Sequence, residues 1–169
     1  MTLNIDIRAL TAKDKPAVMR ILEATPEFTP AEVVVAEEVI DCYLSDPLRS
    51  GYYIIVAEID REVAGYVAYG PTPLTVGTWD IYWASITRER QGQGIGSALI
   101  SYAEDAIRKE NGRLIMIETS SKPEYEKTRR FHHKMGYQVA CVIKDFYAPG
   151  DDEVIFIKRF PPLADVSGK

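Results

Sequence analysis

Cysteine is scarce in this chain: Cys42 and Cys141 are the two in 169 residues. Two lone thiols with no metal-ligand spacing exclude a disulfide framework and a cysteine-based metal site, and they suit a reducing compartment. A basic excess is also missing. The formal net charge of −5 argues against a nucleic-acid footprint, which needs clustered positive charge, and is compatible with a cationic acceptor. No apolar run is long enough to cross a bilayer, and no basic-then-apolar leader opens the chain. The expected location is therefore cytoplasmic, with no membrane partner. Repeats and low-complexity linkers are absent too. What remains is an ordinary soluble composition, 46% hydrophobic and 27% charged, long enough for one domain with its own core. The expected domain is 1–160, followed by a C-terminal tail, 161–169.

Periodicity gives the elements. Leu3, Ile5 and Ile7 alternate with Asn4, Asp6 and Arg8, a half-buried strand from Leu3 to Leu10. Thr11 and Asp14 are spaced as a capping box for a helix ending near Ala24. Thr29-Pro30-Ala31-Glu32 is a stronger start for a second helix to about Leu44, burying Val33, Ala36, Ile40 and Tyr43. Tyr52 to Ile59 and Val63 to Tyr69 flank Asp60-Arg61-Glu62 as a hairpin, and Thr78 to Ile86 is a third strand. A long helix to Lys109 has its apolar stripe on Ile95, Ala98, Leu99, Tyr102, Ala103, Ala106 and Ile107. Asn111-Gly112 stops it, and the apolar strand Leu114 to Thr119 follows. Ser121 to Glu124 has capping-box spacing for a helix through Met135, with Gly136 as its stop. Tyr137 to Tyr147 and Val154 to Phe160 are two last strands. The order is β-α-α-β-β-β-α-β-α-β-β, a mixed α/β (α+β) chain around a mixed central sheet.

Between the third strand and the long helix lies Gln91-Gly92-Gln93-Gly94-Ile95-Gly96-Ser97. A strand, a glycine-rich turn and a helix start form a phosphate cradle, because the first helical N–H groups lack partners and the helix dipole adds positive charge. A P-loop needs Lys before its Ser or Thr, but Ser97 follows Gly96 directly. A dinucleotide fingerprint fits Gly92 and Gly94, and Glu118 falls near the ribose-binding spacing. Its third glycine position is Ser97, however, and Arg88-Glu89-Arg90 separates the strand from the turn. A plain glycine turn packing the helix onto a sheet is the remaining structural alternative.

The pattern of Gln91, Gly94 and Gly96 resembles the acyl-CoA pyrophosphate loop of the GNAT superfamily of N-acetyltransferases. Phe131-His132-His133-Lys134-Met135-Gly136-Tyr137 resembles that family's Phe-Tyr-x-x-x-Gly-Phe segment, with His132 where the family carries tyrosine. The element order agrees, so the resemblance covers Leu3 to Phe160. Doubly wound nucleotide folds alternate strand and helix more regularly.

The resemblance implies the GNAT acyl-CoA N-acyltransferase fold and acetyl-CoA as cosubstrate, with no metal. It implies direct attack of an amine on the thioester, the acceptor being a small molecule or a peptide. The pantetheine arm would pair with the backbone of Ala84, Ser85 and Ile86 as an added strand. The pyrophosphate would lie on the amides of Gly92, Gln93, Gly94, Ile95, Gly96 and Ser97, with Gln91 completing the loop and Phe131 packing near the acyl arm. Tyrosine at the His132 position would protonate the departing thiolate. Histidine, with a pKa near ~6.5 against ~10 for tyrosine, is a stronger acid but only partly protonated at neutral pH. His132 is thus either the proton donor or a neutral hydrogen-bonding residue, with water as donor. His133 is expected to face solvent. Asp80 is the candidate base on the strand before the loop, and the period-two rule puts Tyr82, Ala84 and Ile86 on its face. Glu118 and Tyr147 are expected to border the cleft. Trp79, Ile81 and Trp83 read as core. An acyl-CoA-binding module without catalysis is the alternative function, and a homodimer is allowed for.

Overall fold

A computed structural model describes residues 4–161. Leu3 of the expected first strand and the expected tail from Pro162 onward lie outside the described residues. The described elements run β1 (Asp6–Ala9), α1 (Lys15–Ala24), α2 (Pro30–Ser45), β2 (Tyr53–Ile59), β3 (Glu62–Pro71), β4 (Thr78–Ile86), α3 (Ile95–Lys109), β5 (Leu114–Ser120), α4 (Glu126–Lys134), β6 (Gln138–Ala148) and β7 (Asp151–Arg159). This is the order read from the sequence. The strands form one seven-stranded mixed sheet, β1-β2-β3-β4-β5-β7-β6. β4 and β5 pair in parallel, Thr78 to Leu114 through Asp80 to Met116. β5 and β7 pair antiparallel from Leu114 with Arg159 to Ser120 with Glu153.

Local chemistry explains the helix starts. The Thr29 side chain accepts the Glu32 N–H, and the Glu32 carboxylate accepts the Thr29 N–H at 2.7 Å, so the expected capping box forms around Pro30. At α1 only the reverse half of the box exists. Asp14 accepts from the Thr11 N–H and hydroxyl, both at 2.8 Å, and is itself the helix N-cap. The Arg8 guanidinium beside Asp14 holds its carboxyl down at about 2. At α4 the expected box fails. Pro123–Tyr125 forms a 3₁₀ turn and the helix starts at Glu126. The Ser121 hydroxyl accepts the Asp152 N–H instead, at 2.8 Å, the kind of local competition that serine side chains offer.

The chain divides into two compact units, Met1–Gly70 with Ile81–Ala103, and Pro71–Asp80 with Glu104–Lys169. In the first, Val18 and Leu22 of α1 and Ala36, Ile40 and Tyr43 of α2 pack on Ile54, Val56, Tyr66 and Ala68. The other side of β3 meets α3: a Cβ built on Gly65 would touch side chains of Leu99 and Ile86. The stripe of α3 differs from the expected one, since Ile100 is buried and Tyr102 exposed.

In the second unit Ile107, Ile115, Ile117, Tyr137, Val154 and Phe156 are buried. Glu104 is buried among them and accepts from Lys158 Nζ at 2.8 and 2.9 Å. Lys158 also donates to the Met135 carbonyl at 2.8 Å, which ties β7 to the end of α4. The α3 terminus closes with Asn111 at φ 60° and the Gly112 N–H donating to the Ile107 carbonyl at 2.8 Å, a Schellman-type cap.

Gly112 owes its identity to space: an added Cβ would lie 2.2 Å from Ile107 Cγ2 and 2.7 Å from its carbonyl oxygen. Gly112→Ala is therefore expected to destabilise the protein by about 1–3 kcal/mol, the range for overpacking a tight site. Urea unfolding should show a lower midpoint with an unchanged slope.

Candidate active site

The glycine loop belongs to the first unit. After β4, a 3₁₀ turn at Arg88–Arg90 leads to Gln91, which is extended. Gly92 and Gly94 have φ of 78° and 85°, values that favour glycine strongly. Gly94 is the helix N-cap position, because its carbonyl accepts the Ala98 N–H at 3.0 Å. The N–H groups of Ile95, Gly96 and Ser97 thus precede the first intrahelical bond. Cβ atoms built on Gly92 or Gly94 would meet nothing within 4 Å, and Gln91 to Gly94 are exposed. These glycines are required by the backbone path, and their outer side is open. The loop is tied back by the Gln93 side chain donating to the Glu89 carbonyl at 3.2 Å. Positive φ at a helix start is a backbone arrangement that can present N–H groups to an anion.

Ala84 is exposed and Ser85 buried. Ser85 Oγ lies 2.7 Å from the Thr25 hydroxyl, which donates to the Ile21 carbonyl at 2.7 Å, so the Ser85 hydroxyl is the donor between them. This anchors β4 to the end of α1. The expected common face of Tyr82 and Ile86 is not found. Tyr82 lies over Gly70, whereas Ile86 lies over Gly65. These glycines differ in parity along β3, so they face opposite sides of the sheet. Trp83 packs against the α1–α2 core. The regular alternation is interrupted between Tyr82 and Ile86, as an extra residue in a strand would interrupt it. Trp79 and Ile81 are buried, in keeping with a core role.

The second unit carries Asp80, Phe131 and His132. Asp80 accepts from the Thr72 hydroxyl at 2.6 Å. Its partner in β5 is Met116, so Glu118, two residues further, shares its face. Ser120 and Glu153 are paired across the ladder, and they lie on this face too. Burial raises the Glu118 carboxyl, assisted by the charges of Glu153 and Asp80 and by a hydrogen bond with Glu153. Ser120 hydrogen-bonds Asp151. Burial and the charges of Glu153, Glu118 and Asp151 push the Tyr147 phenol up. The result is an acidic face with one carboxyl biased towards holding a proton. Glu153 escaped the sequence reading because the last strand was expected to start at Val154. The signal for it was the alternation of Asp151, Glu153, Ile155 and Ile157 in β7.

His132 lies on the opposite face. Its ring is 5.4 Å from that of Phe156 and 6.1 Å from that of Tyr137. Phe156 pairs with Ile117, one residue from Glu118 and so on the other side of the strand. Asp80, the candidate base, and His132, the candidate proton donor or neutral hydrogen-bonding residue, are therefore not brought together. His132 is 5% exposed and its Nδ1 is buried without a partner. Burial lowers its pKa from 6.5 to about 4, so it is neutral at pH 7. His133 is exposed, as expected, with its ring edge-on to Phe156. Phe131 is half-buried. Among the described residues no helix is long and apolar enough to cross a membrane.

This sheet order and glycine-loop helix start define an acyl-CoA-type transferase fold. Residues 16–137 match the acetyltransferase (GNAT) family, and the chain belongs to it. An uncharacterized N-acetyltransferase of Methanocaldococcus jannaschii is 31% identical over 107 residues, 63% of this chain and 65% of that relative. The matched part thus spans just under two thirds of the relative's length. A solved GNAT-family structure from Desulfovibrio desulfuricans superposes with a TM-score of 0.89 at 38% identity, covering 92% of this chain and 99% of that one. A Salmonella typhimurium structure with acetyl-CoA gives a TM-score of 0.76 at 19% identity, covering 98% and 99%; at that identity the likeness is one of fold.

The environment of His132 has a consequence for stability. Its folded pKa lies below its ordinary value, so the unfolded chain takes up a proton there that the native protein refuses. The native state keeps its full advantage above pH 6.5 and loses it as pH falls towards 4, by on the order of 3 kcal/mol. His132→Phe, which keeps a ring in the pocket, should flatten that part of the profile. Urea unfolding at pH 7, 5.5 and 4.5 measures it, and parallel losses in both proteins would remove His132 as the cause.

Proposed function

We propose that this chain is an acetyl-CoA-dependent N-acetyltransferase acting on a primary amine that is cationic in solution. The observation that carries the reading is the open, positive-φ loop at the start of α3, Gly92 and Gly94. The amides of Gly92 to Ser97 hold the pyrophosphate, with Gln91 fixing the loop to β4. The backbone of Ala84, Ser85 and Ile86 takes the pantetheine arm as an added strand, and Phe131 packs towards the acyl end.

The acceptor arrives as an ammonium and must be neutral to react. The acidic face of Asp80, Glu118 and Glu153 attracts the cation, and Glu118 takes its proton. A carboxyl raised above its ordinary 4.5 is a better base at neutral pH than an unperturbed one. The freed nitrogen attacks the thioester carbonyl carbon. A C–N bond forms, the C–S bond breaks, and the sulfur leaves with the electron pair as thiolate. Strand-edge N–H groups of β4 polarise the carbonyl oxygen. The proton released passes through Glu118 to solvent, and water protonates the thiolate. His132 is then a neutral ring supporting α4; the support for this assignment is the burial of His132 on the face away from Asp80.

Two variants test the reading. Gly94→Asp places a carboxylate and a Cβ at the helix start; titration calorimetry should show CoA binding abolished while circular dichroism stays native. Binding at wild-type affinity would overturn the loop assignment. Glu118→Gln should lower kcat/KM for the amine by about 10²–10⁴-fold and erase the acidic limb of its pH profile, with CoA affinity unchanged. A wild-type profile would move the base elsewhere. CoA binding without release of free thiol across a broad amine panel would assign the chain to the non-catalytic, acyl-CoA-binding alternative.

A further inference from the structure

Glu153 is the odd member of the acidic face. It lies in β7, next to β5 in the sheet, and is 3% exposed. Carboxylates rarely stand that deep without a cation. Among the described residues no ion pair reaches it. Lys122 is paired with Asp151 at 3.3 Å, Lys144 with Asp152 at 2.6 Å and Lys158 with Glu104 at 2.8 Å. Arg129 donates to the Ser120 and Lys122 carbonyls. Ser120, opposite Glu153 in β5, gives its hydroxyl to Asp151, and Ile143, opposite it in β6, is apolar. What stands beside it is Glu118. Glu118 is opposite Ile155, two residues along β7 from Glu153, so the two glutamates are diagonal neighbours on one face. Diagonal positions are ~7–8 Å apart, within reach of side chains this long, and the two carboxyls are hydrogen-bonded to each other. An ionised carboxylate only accepts, so a bond between two of them needs one proton on the pair.

We propose that Glu153 is a positioning residue for Glu118: the two carboxyls share one proton, which holds the Glu118 carboxyl in place and sets the pH at which it accepts a second. This rests on Glu118 being the base. Glu118 is exposed and Glu153 is buried, so an acceptor meets Glu118. The singly protonated pair presents one negative charge to the ammonium. The N–H bond breaks, its electron pair stays on nitrogen, and the proton bonds to a Glu118 oxygen. The pair then holds two protons. One leaves to solvent through Glu118, which restores the starting state. Glu153 touches neither the nitrogen nor the thioester. The other titratable groups on this face are Asp80 of β4, bound by the Thr72 hydroxyl, and Asp151 of β7, bound by Ser120 and Lys122. Tyr147 of β6 and Tyr125 of the 3₁₀ turn add phenols beside the same acids. The charge of Asp80 acts on Glu118 in the same direction as that of Glu153. It persists in Glu153→Gln, so a difference between that variant and the wild type belongs to Glu153.

The sharing of a proton is read on the full chain without substrate. In protein labelled with carbon-13 at the glutamate carboxyls, the Glu118 resonance is identified by its loss in Glu118→Gln. It should titrate in two steps, since coupled groups each report both macroscopic transitions. Glu153→Gln should reduce it to one step at lower pH. Kinetics read the consequence. Glu153→Gln should move the acidic limb of kcat/KM for the amine to lower pH by about one unit, because the amide removes a like charge and donates to ionised Glu118. CoA affinity should be that of the wild type. If Glu153→Gln does not fold, Glu153→Asp, one methylene shorter, should narrow the gap between the two steps. A wild-type Glu118 that titrates in one step overturns the pair. An acidic limb erased by Glu118→Gln but unmoved by Glu153→Gln overturns the positioning role. A two-step titration with a pH profile that both variants leave unchanged keeps the pair and overturns Glu118 as the base.

Discussion

The second unit depends on the antiparallel ladder between β5 and β7. Its pairs, from Leu114 with Arg159 to Ser120 with Glu153, fix which side chains share a face. Ile115, Ile117, Val154 and Phe156 turn to one side and are buried. Glu118, Ser120 and Glu153 turn to the other. A slip of one residue would exchange the two sets, putting carboxylates into the core beside Tyr137 and valine and phenylalanine onto the acidic side. Seven residue pairs and a partly buried Lys158–Glu104 ion pair anchored at Met135 hold the register against that. The separation of an apolar face from an acidic one is thus a property of the ladder, and the raised Glu118 carboxyl follows from it.

Much of this was legible in the sequence because it rests on local rules. The capping box at Thr29, the glycine loop before α3 and the Asn111-Gly112 stop are each specified within seven consecutive residues. The glycine loop was also the most informative functional signal, since positive φ at Gly92 and Gly94 is a backbone requirement that glycine alone meets readily. What the sequence hid is long-range. Nothing local says that Ser121 will cap Asp152 rather than its own helix. The interrupted alternation between Tyr82 and Ile86 becomes visible only against Gly70 and Gly65. Glu153 joined the acidic face only once β7 was seen to begin at Asp151. The motif reading gave His132 its place next to Phe131, but its surroundings come from Phe156, which lies 24 positions further along the chain.

The two faces also divide the titrations. On the α4 side, His132 is held neutral and burial pushes the Tyr137 phenol up, with the Glu104 charge adding to it. Lys158, packed over the Tyr137 ring, is committed to Glu104 and the Met135 carbonyl. On the other side Glu118 is displaced towards neutrality by burial and by its acidic neighbours.

That division bears on the missing tyrosine. In the proposed reaction the thiolate is a fair leaving group, whereas the amine must first lose its proton to attack. In that reaction the acidic face works without a phenol at the position of His132, whose ring packs beside Tyr137 and Phe156. Histidine fills that pocket in neutral form at the expense of acid stability, with its Nδ1 buried and unpartnered. Loss of stability below pH 6.5 and loss of activity in the acid range would then arise from different residues on different faces. Substituting one should leave the other intact, whereas a single shared origin would tie the two together.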